Sequence, residues 1–147
     1  MKLRQFASIL RLLIFLIIGH AKAQSADDIT GIWFNTEKTA KIKITKAGDT
    51  YEGEIVWLKD PNPDGKPALD VENDDEDLQK RPLMGLKIIE GLKFSGDRWK
   101  DGEIYDPKSG NMYSSEVQMK NKDTLEVKGY VGFSFIGRTV EWTRTTR

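Results

Sequence analysis

Between residues 40 and 57 the side chains switch between apolar and water-seeking at every second position, and this alternation constrains the chain more than any other feature. Ala40, Ile42 and Ile44 alternate with Lys41, Lys43 and Thr45. Lys46-Ala47-Gly48-Asp49 supplies a turn, after which Tyr51, Gly53, Ile55 and Trp57 alternate with Glu52, Glu54 and Val56. A period of two belongs to a strand, whose successive side chains point to opposite faces; a helix would need 3.6. Two such runs about a short turn predict a hairpin with one wet face and one dry face.

The pattern recurs. Leu86, Ile88 and Leu92 read as one strand, Asp97 to Tyr105 as another, and Met112 to Met119 as a third. Leu125, Val127 and Gly129 alternate with Glu126 and Lys128, and Thr139 to Thr145 ends the chain as a strand. Asp106-Pro107-Lys108-Ser109-Gly110 and Asn121-Lys122-Asp123 separate them as turns, since Asp bonds its own backbone, Pro fixes φ and Gly allows positive φ. About eight short strands joined mostly by tight turns predict an all-β fold, an antiparallel up-and-down β-barrel. Such a barrel either fills its interior with side chains or encloses one small ligand. Charges on both faces argue against a lipid-facing barrel of the outer-membrane kind.

The first 23 residues stand apart. Lys2, Arg4 and Arg11 precede the apolar run Leu12 to Ile18, and Ala21-Lys22-Ala23 follows as a small-residue cleavage site. This order predicts a signal peptide over residues 1–23, with one barrel domain over 24–147 and a periplasmic or secreted destination. The run is too short to cross a hydrocarbon core of about 30 Å, so no membrane span is expected in the mature protein.

The 147-residue chain balances 23 basic against 23 acidic residues. Four of the basic ones (Lys2, Arg4, Arg11, Lys22) and none of the acidic ones lie in residues 1–23, so the remainder carries a net charge of −4. That argues against nucleic acid as a partner, whose binding needs clustered cations. There is no cysteine, and the single histidine, His20, lies in the expected signal peptide. Most zinc and copper sites are thereby excluded, as are Ser-His and Cys-His nucleophiles. No metal or cofactor is expected. Asp60, Asn62, Asp64 and Gly65 mimic half of a calcium loop, but Pro61 and Pro63 interrupt it and Val71 stands where a bidentate Glu would be needed.

Gly31-Ile32-Trp33 at a strand start resembles the opening of lipocalins and other calycins. In those families the Trp closes one barrel end against a late Arg, and Arg144 stands where that partner would fall. Trp33 and Arg144 are accordingly expected as a barrel-closing structural pair. A broader resemblance rests on Gly31-Ile32-Trp33, Tyr51-Glu52-Gly53-Glu54-Ile55-Val56-Trp57, Arg81-Pro82-Leu83-Met84-Gly85-Leu86, the run Trp99 to Gly110, Leu125-Glu126-Val127-Lys128-Gly129 and Gly137-Arg138-Thr139-Val140-Glu141-Trp142-Thr143-Arg144. In this order they resemble the DUF2147 family of small exported bacterial proteins. The resemblance implies a calycin-like barrel and export, and supplies no activity. Asn73-Asp74 replaces an Asn-Pro common in the family, and Met84 stands where some members have Cys, so a role built on that proline or thiol does not carry over.

The segment from Lys59 to Pro82 breaks the alternation with Pro61, Pro63, Gly65 and Pro67 and then the acidic run Asp74 to Asp77. Connections of this length inside a compact domain are usually functional or disordered. A short helical turn is expected near Asp75 to Gln79. Arg81 is expected to pair with Asp70 or a neighbouring carboxylate and pin the loop to the barrel rim. Strict alternation from Leu86 would turn Glu90 inward, whereas a register break at Gly91 would turn it outward. The candidate ligand-binding residues are therefore Trp57, Asp70, Asn73, Arg81, Glu90 and Tyr105. Trp57, Trp99, Tyr51, Tyr105, Tyr113, Phe133 and Phe135 are expected mostly in the core.

Three functional classes remain open on these grounds. One is a non-enzymatic binding module for a small apolar or amphipathic ligand. Another is a cell-envelope protein-interaction module with a filled barrel and an acidic docking loop. The last is an enzyme working through carboxylates alone, with Glu90 or Asp70 as the proton-transfer group.

Overall fold

Each dry stripe of the alternating sequence finds its partner in the next stretch of chain. The computed structural model describes residues 23–145, so the expected signal peptide lies, save for Ala23, outside the described residues. Eight strands follow in order: β1 (Gly31–Phe34), β2 (Ala40–Ala47), β3 (Thr50–Leu58), β4 (Lys87–Phe94), β5 (Trp99–Asp106), β6 (Asn111–Asn121), β7 (Thr124–Tyr130) and β8 (Gly137–Thr145). Every strand pairs antiparallel with its sequence neighbour, and β8 returns to β1 to close the barrel. Closure covers most of the sheet's edges, although the short β1 pairs with only Thr143 to Thr145 of β8. The expected all-β up-and-down barrel is the observed fold, and among the described residues no helix is long and apolar enough to cross a membrane.

Of the several register shifts between strands, two decide where candidate residues point. On β3, Lys41 faces Trp57 while Ile42 faces Ile55, so Val56 is an extra residue. Beyond it the phase flips: Leu58 turns toward the interior, and Trp57 turns out to 37% exposure, edge-to-face with Phe34 at 6.0 Å. On β4, Ile89 faces Gly53 and Leu92 faces Tyr51, which leaves one residue too many on β4 between them. Gly91 takes φ 72° there, Ile88 and Ile89 are both buried, and Glu90 faces solvent. These are bulges, in which one added residue bends a strand and re-aims its side chains.

The chain before β1 plugs one end of the barrel. Ala26–Ile29 form a 3-10 turn capped reciprocally by Ser25 and Asp28. Trp33 and Trp99, both fully buried, donate their indole N–H groups to the turn's own carbonyls, at Ile29 (2.9 Å) and Ala26 (3.0 Å). Burying a tryptophan is favourable once its N–H has a partner. Tyr51 meets Trp99 edge-to-face at 6.4 Å and donates its hydroxyl to Asp27, which also pairs with Lys46 at 3.1 Å. The Tyr51 hydrogen bond, then Lys46, holds the Asp27 carboxyl below the usual carboxylate range.

Arg144 completes the plug. Its guanidinium lies 4.0 Å above the centre of the Trp33 ring and donates to the carbonyls of Thr30 (2.8 Å), Asp28 (2.7 Å) and Lys122 (2.8 Å). Gly31 makes room for it: a Cβ there would sit 2.6 Å from Nη1 of Arg144.

Candidate functional site

The opposite end of the barrel is open. The β1–β2, β3–β4, β5–β6 and β7–β8 connections gather there, and between them a cavity of about 820 Å³ runs inward. The barrel is thus solid in its plugged half and hollow in the other, so the filled barrel of the interaction-module reading is not what the chain builds. The cavity wall is mainly aliphatic where strands form it, with Ile42 (β2), Ile55 (β3), Ile88 (β4), Ile104 (β5), Val127 (β7) and Val140 (β8), and Trp142 in the same β8 row. Tyr113 and Tyr130 border it, and neither hydroxyl bonds to another described residue.

The β7–β8 connection forms an apolar lip. Val131, Phe135 and Ile136 line the cavity while standing largely in solvent, and Phe135 is 80% exposed. Phe133, at 66%, stacks on Phe135 with ring centres 5.4 Å apart. These two phenylalanines depart from the expectation that the chain's aromatics lie mostly in the core. They sit in a turn rather than on a strand, so no alternation directs them inward. Exposed apolar residues gathered in one place mark a contact surface or the mouth of a groove.

The long β3–β4 loop is ordered by its own polar cluster. Asp70 is fully buried. Its carboxylate accepts from the Tyr105 hydroxyl at 2.7 Å, from Nδ2 of Asn73 at 3.0 Å and from Nε of Arg81 at 2.8 Å. Asn73 donates also to the Tyr105 oxygen at 2.9 Å, and the Arg81 guanidinium carbon lies 5.1 Å from the centre of the Tyr105 ring. A buried carboxylate is tolerated when several donors satisfy it at once. Burial, then the hydrogen bond to Asp70, raises the Tyr105 phenol above its ordinary pKa. Backbone bonds from Asp70 to Arg81 and from Leu83 to Ala68 zip the two arms of the loop together. A 3-10 turn at Leu78–Lys80, close to the expected position, carries Gln79, whose side chain donates to the Asn73 carbonyl at 2.8 Å.

Residues 31–144 match the family described as "Uncharacterized protein conserved in bacteria (DUF2147)". The chain belongs to this family. Among solved structures, protein HP1028 from the human pathogen Helicobacter pylori, described as belonging to the lipocalin family, superposes with a TM-score of 0.69. The two chains share 20% identity over 80% of this chain and 82% of that one, a likeness of fold. No curated protein matches the chain.

Of the six candidate ligand residues in this DUF2147 barrel, Tyr105 alone borders the cavity. Asp70, Asn73 and Arg81 are brought together with it, and they fasten the loop. Tyr105 stands across β5–β6 from exposed Met112, so the loop, rather than the strand's own phase, buries it. Trp57 is displaced to the outer wall by the Val56 bulge. Glu90 is turned outward by the Gly91 bulge, 3.8 Å from Lys87 and facing Glu103 across the sheet. The inward reading of Glu90 is therefore corrected: Glu90 points away from the cavity, while the Asp70 carboxylate accepts from Tyr105, Asn73 and Arg81.

Sequence reasoning did not single out Arg138 and Lys108 at the mouth, nor the residues of the β7–β8 lip. One signal for Arg138 was present. Counting back by two from Arg144 gives Trp142, Val140 and Arg138, one inward row with a cation at each end.

Proposed function

We propose that this protein is an exported, non-enzymatic binding module that holds a small apolar or amphipathic molecule in the open half of its barrel. The observation that carries the reading is the cavity of about 820 Å³, walled by isoleucine and valine from six strands and open at one end. Pockets of about 300–1,000 Å³ with apolar walls and a few polar groups are the usual size and make of small-molecule sites. An aliphatic wall rewards transfer of apolar surface from water at about 25 cal/mol per Å². The lipocalin-like fold supports the same reading by likeness alone. Export is supported by the order of charge, apolar run and Ala21-Lys22-Ala23 in the leader.

An uncharged environment-sensitive fluorophore tests the binding reading. The protein is expected to enhance its emission, and Ile104→Trp or Val140→Phe, which fill the cavity from half-buried wall positions, should each suppress that enhancement while the melting temperature holds. Enhancement equal in both filled variants would refute a site inside the barrel. Native mass spectrometry of protein purified from its own host should show a bound small molecule, and N-terminal sequencing should begin at Gln24.

A further inference from the structure

The charged groups around the cavity are unequally engaged. Four line it: Glu37, Asp106, Lys108 and Arg138. Lys108 forms an ion pair with Glu37, which ties the β5–β6 turn to the β1–β2 loop on the far side of the mouth. Asp106 is spent within its own turn, accepting from the Lys108 backbone N–H at 3.0 Å and the Ser109 hydroxyl at 2.9 Å. Arg138 has neither hydrogen bond nor ion pair from its side chain among the described residues.

Its position is set by the strand. Arg138 faces Gly129 across β7–β8, in the same inward row as Val140 and Trp142, and is the outermost member of that row. Arg144, at the other end of the row, engages three carbonyls and an aromatic face. Gly129 has no side chain to cover the mouth arginine, and the tyrosines flanking it, Tyr113 and Tyr130, have hydroxyls with no described partner. A guanidinium offers five donors in a planar fork suited to carboxylate or phosphate. At the rim of an aliphatic cavity it is placed to meet a head group whose chain lies below it.

The geometry points to an amphiphile with an anionic head: its hydrocarbon chain in the cavity, its carboxylate or phosphate on Arg138 at the mouth, with Tyr113 and Tyr130 as further donors. This inference rests on the binding reading above and specifies its ligand class.

The test displaces the uncharged fluorophore with alkyl carboxylate, alkyl phosphate, alcohol and trimethylammonium amphiphiles of equal chain length, each as monomer. The anionic amphiphiles should displace at roughly tenfold lower concentration than the alcohol, as one charge-assisted hydrogen bond would give. Arg138→Gln should reduce that preference to near unity and leave the alcohol unchanged. The carboxylate and phosphate arms separate the two sources of the charge by which displaces first. Equal binding of alcohol and anion would overturn the inference and leave the binding module standing. So would loss of the preference in Lys108→Gln while Arg138→Gln retains it. Failure of every amphiphile, and of the fluorophore, would sink the binding reading itself.

Discussion

The Cα of Gly110 stands against the backbone of Glu72 so closely that a Cβ on it would fall 1.9 Å from the Glu72 carbonyl oxygen. This contact joins the β5–β6 turn to the long loop, and only a residue without a side chain permits it. Gly110 also holds φ 71°, where other residues are strained by about 1–2 kcal/mol.

Gly110→Ala is therefore expected to push the loop off the barrel, because the obstruction is backbone and not a flexible side chain. We expect a loss of about 2 kcal/mol or more in unfolding free energy, and faster proteolytic cleavage within residues 59–86. Limited proteolysis followed by mass spectrometry checks it; a cleavage pattern identical to that of the parent protein would show that the turn yields without releasing the loop.

The same loop carries a pH response. Burial, then Asp70, raises the Tyr105 pKa above 10.0, with Asn73 and Arg81 opposing in part. A group whose folded pKa is raised contributes stability that is present below its unfolded pKa and lost as pH rises through the folded value. The fastening of the loop should accordingly hold through neutral pH and weaken only in strong alkali, above the ordinary tyrosine range. Tyrosinate absorbance should show two residues titrating late, Tyr51, raised by burial and by Asp27, and Tyr105, and Tyr105→Phe should remove one of those two contributions. Asp70→Ala, which strands the donors of Arg81, Asn73 and Tyr105, is expected to cost roughly 3 kcal/mol at neutral pH.

How much of this was legible in the sequence depends on which property fixes each residue. The strands were legible because period two follows from the pleat, and Ile42, Ile44, Ile55, Val127 and Trp142 all point where alternation sends them. Trp57 and Glu90 were not, because one extra residue on a strand inverts the phase beyond it, and an extra residue is defined only against the partner strand. Gly91 hinted at the second bulge; nothing in Ile55-Val56-Trp57 hinted at the first. Asp70, Asn73, Arg81 and Tyr105 were found as a set by their chemistry, yet whether donors converge on a ligand or on one another is a matter of distance. The cavity was invisible because its volume depends on which side chains stop short of the axis.

Arg144 should resist replacement even by lysine. One ammonium on a flexible stem cannot donate to the carbonyls of Asp28, Thr30 and Lys122 together while lying flat on Trp33. Arg144→Lys is expected to destabilise by roughly 1–2 kcal/mol and Arg144→Ala by roughly 2–4 kcal/mol. Both should loosen the plug and leave the far mouth intact. Hydrogen exchange can read this, with protection falling at Ala26–Ile29 and unchanged at residues 59–86. Equal loss at both ends would show that the barrel opens as one unit.

Ser115 presents the reverse situation. It is fully buried on β6, in the inward row between Tyr113 of the cavity wall and Val117 of the core, and it faces Gly102 on one side and Gly129 on the other. Its hydroxyl finds no hydrogen-bond partner among the described residues. An unsatisfied buried hydroxyl costs about 1–3 kcal/mol, and removing it takes away a group of small volume. Ser115→Ala is therefore expected to stabilise the protein by about 1 kcal/mol, a rise of roughly 4 °C in melting temperature for a domain of this size. Calorimetry of the empty protein decides it. A fall in melting temperature would mean that the hydroxyl is hydrogen-bonded in solution, and the two glycines beside it would then be the place to look for what it binds.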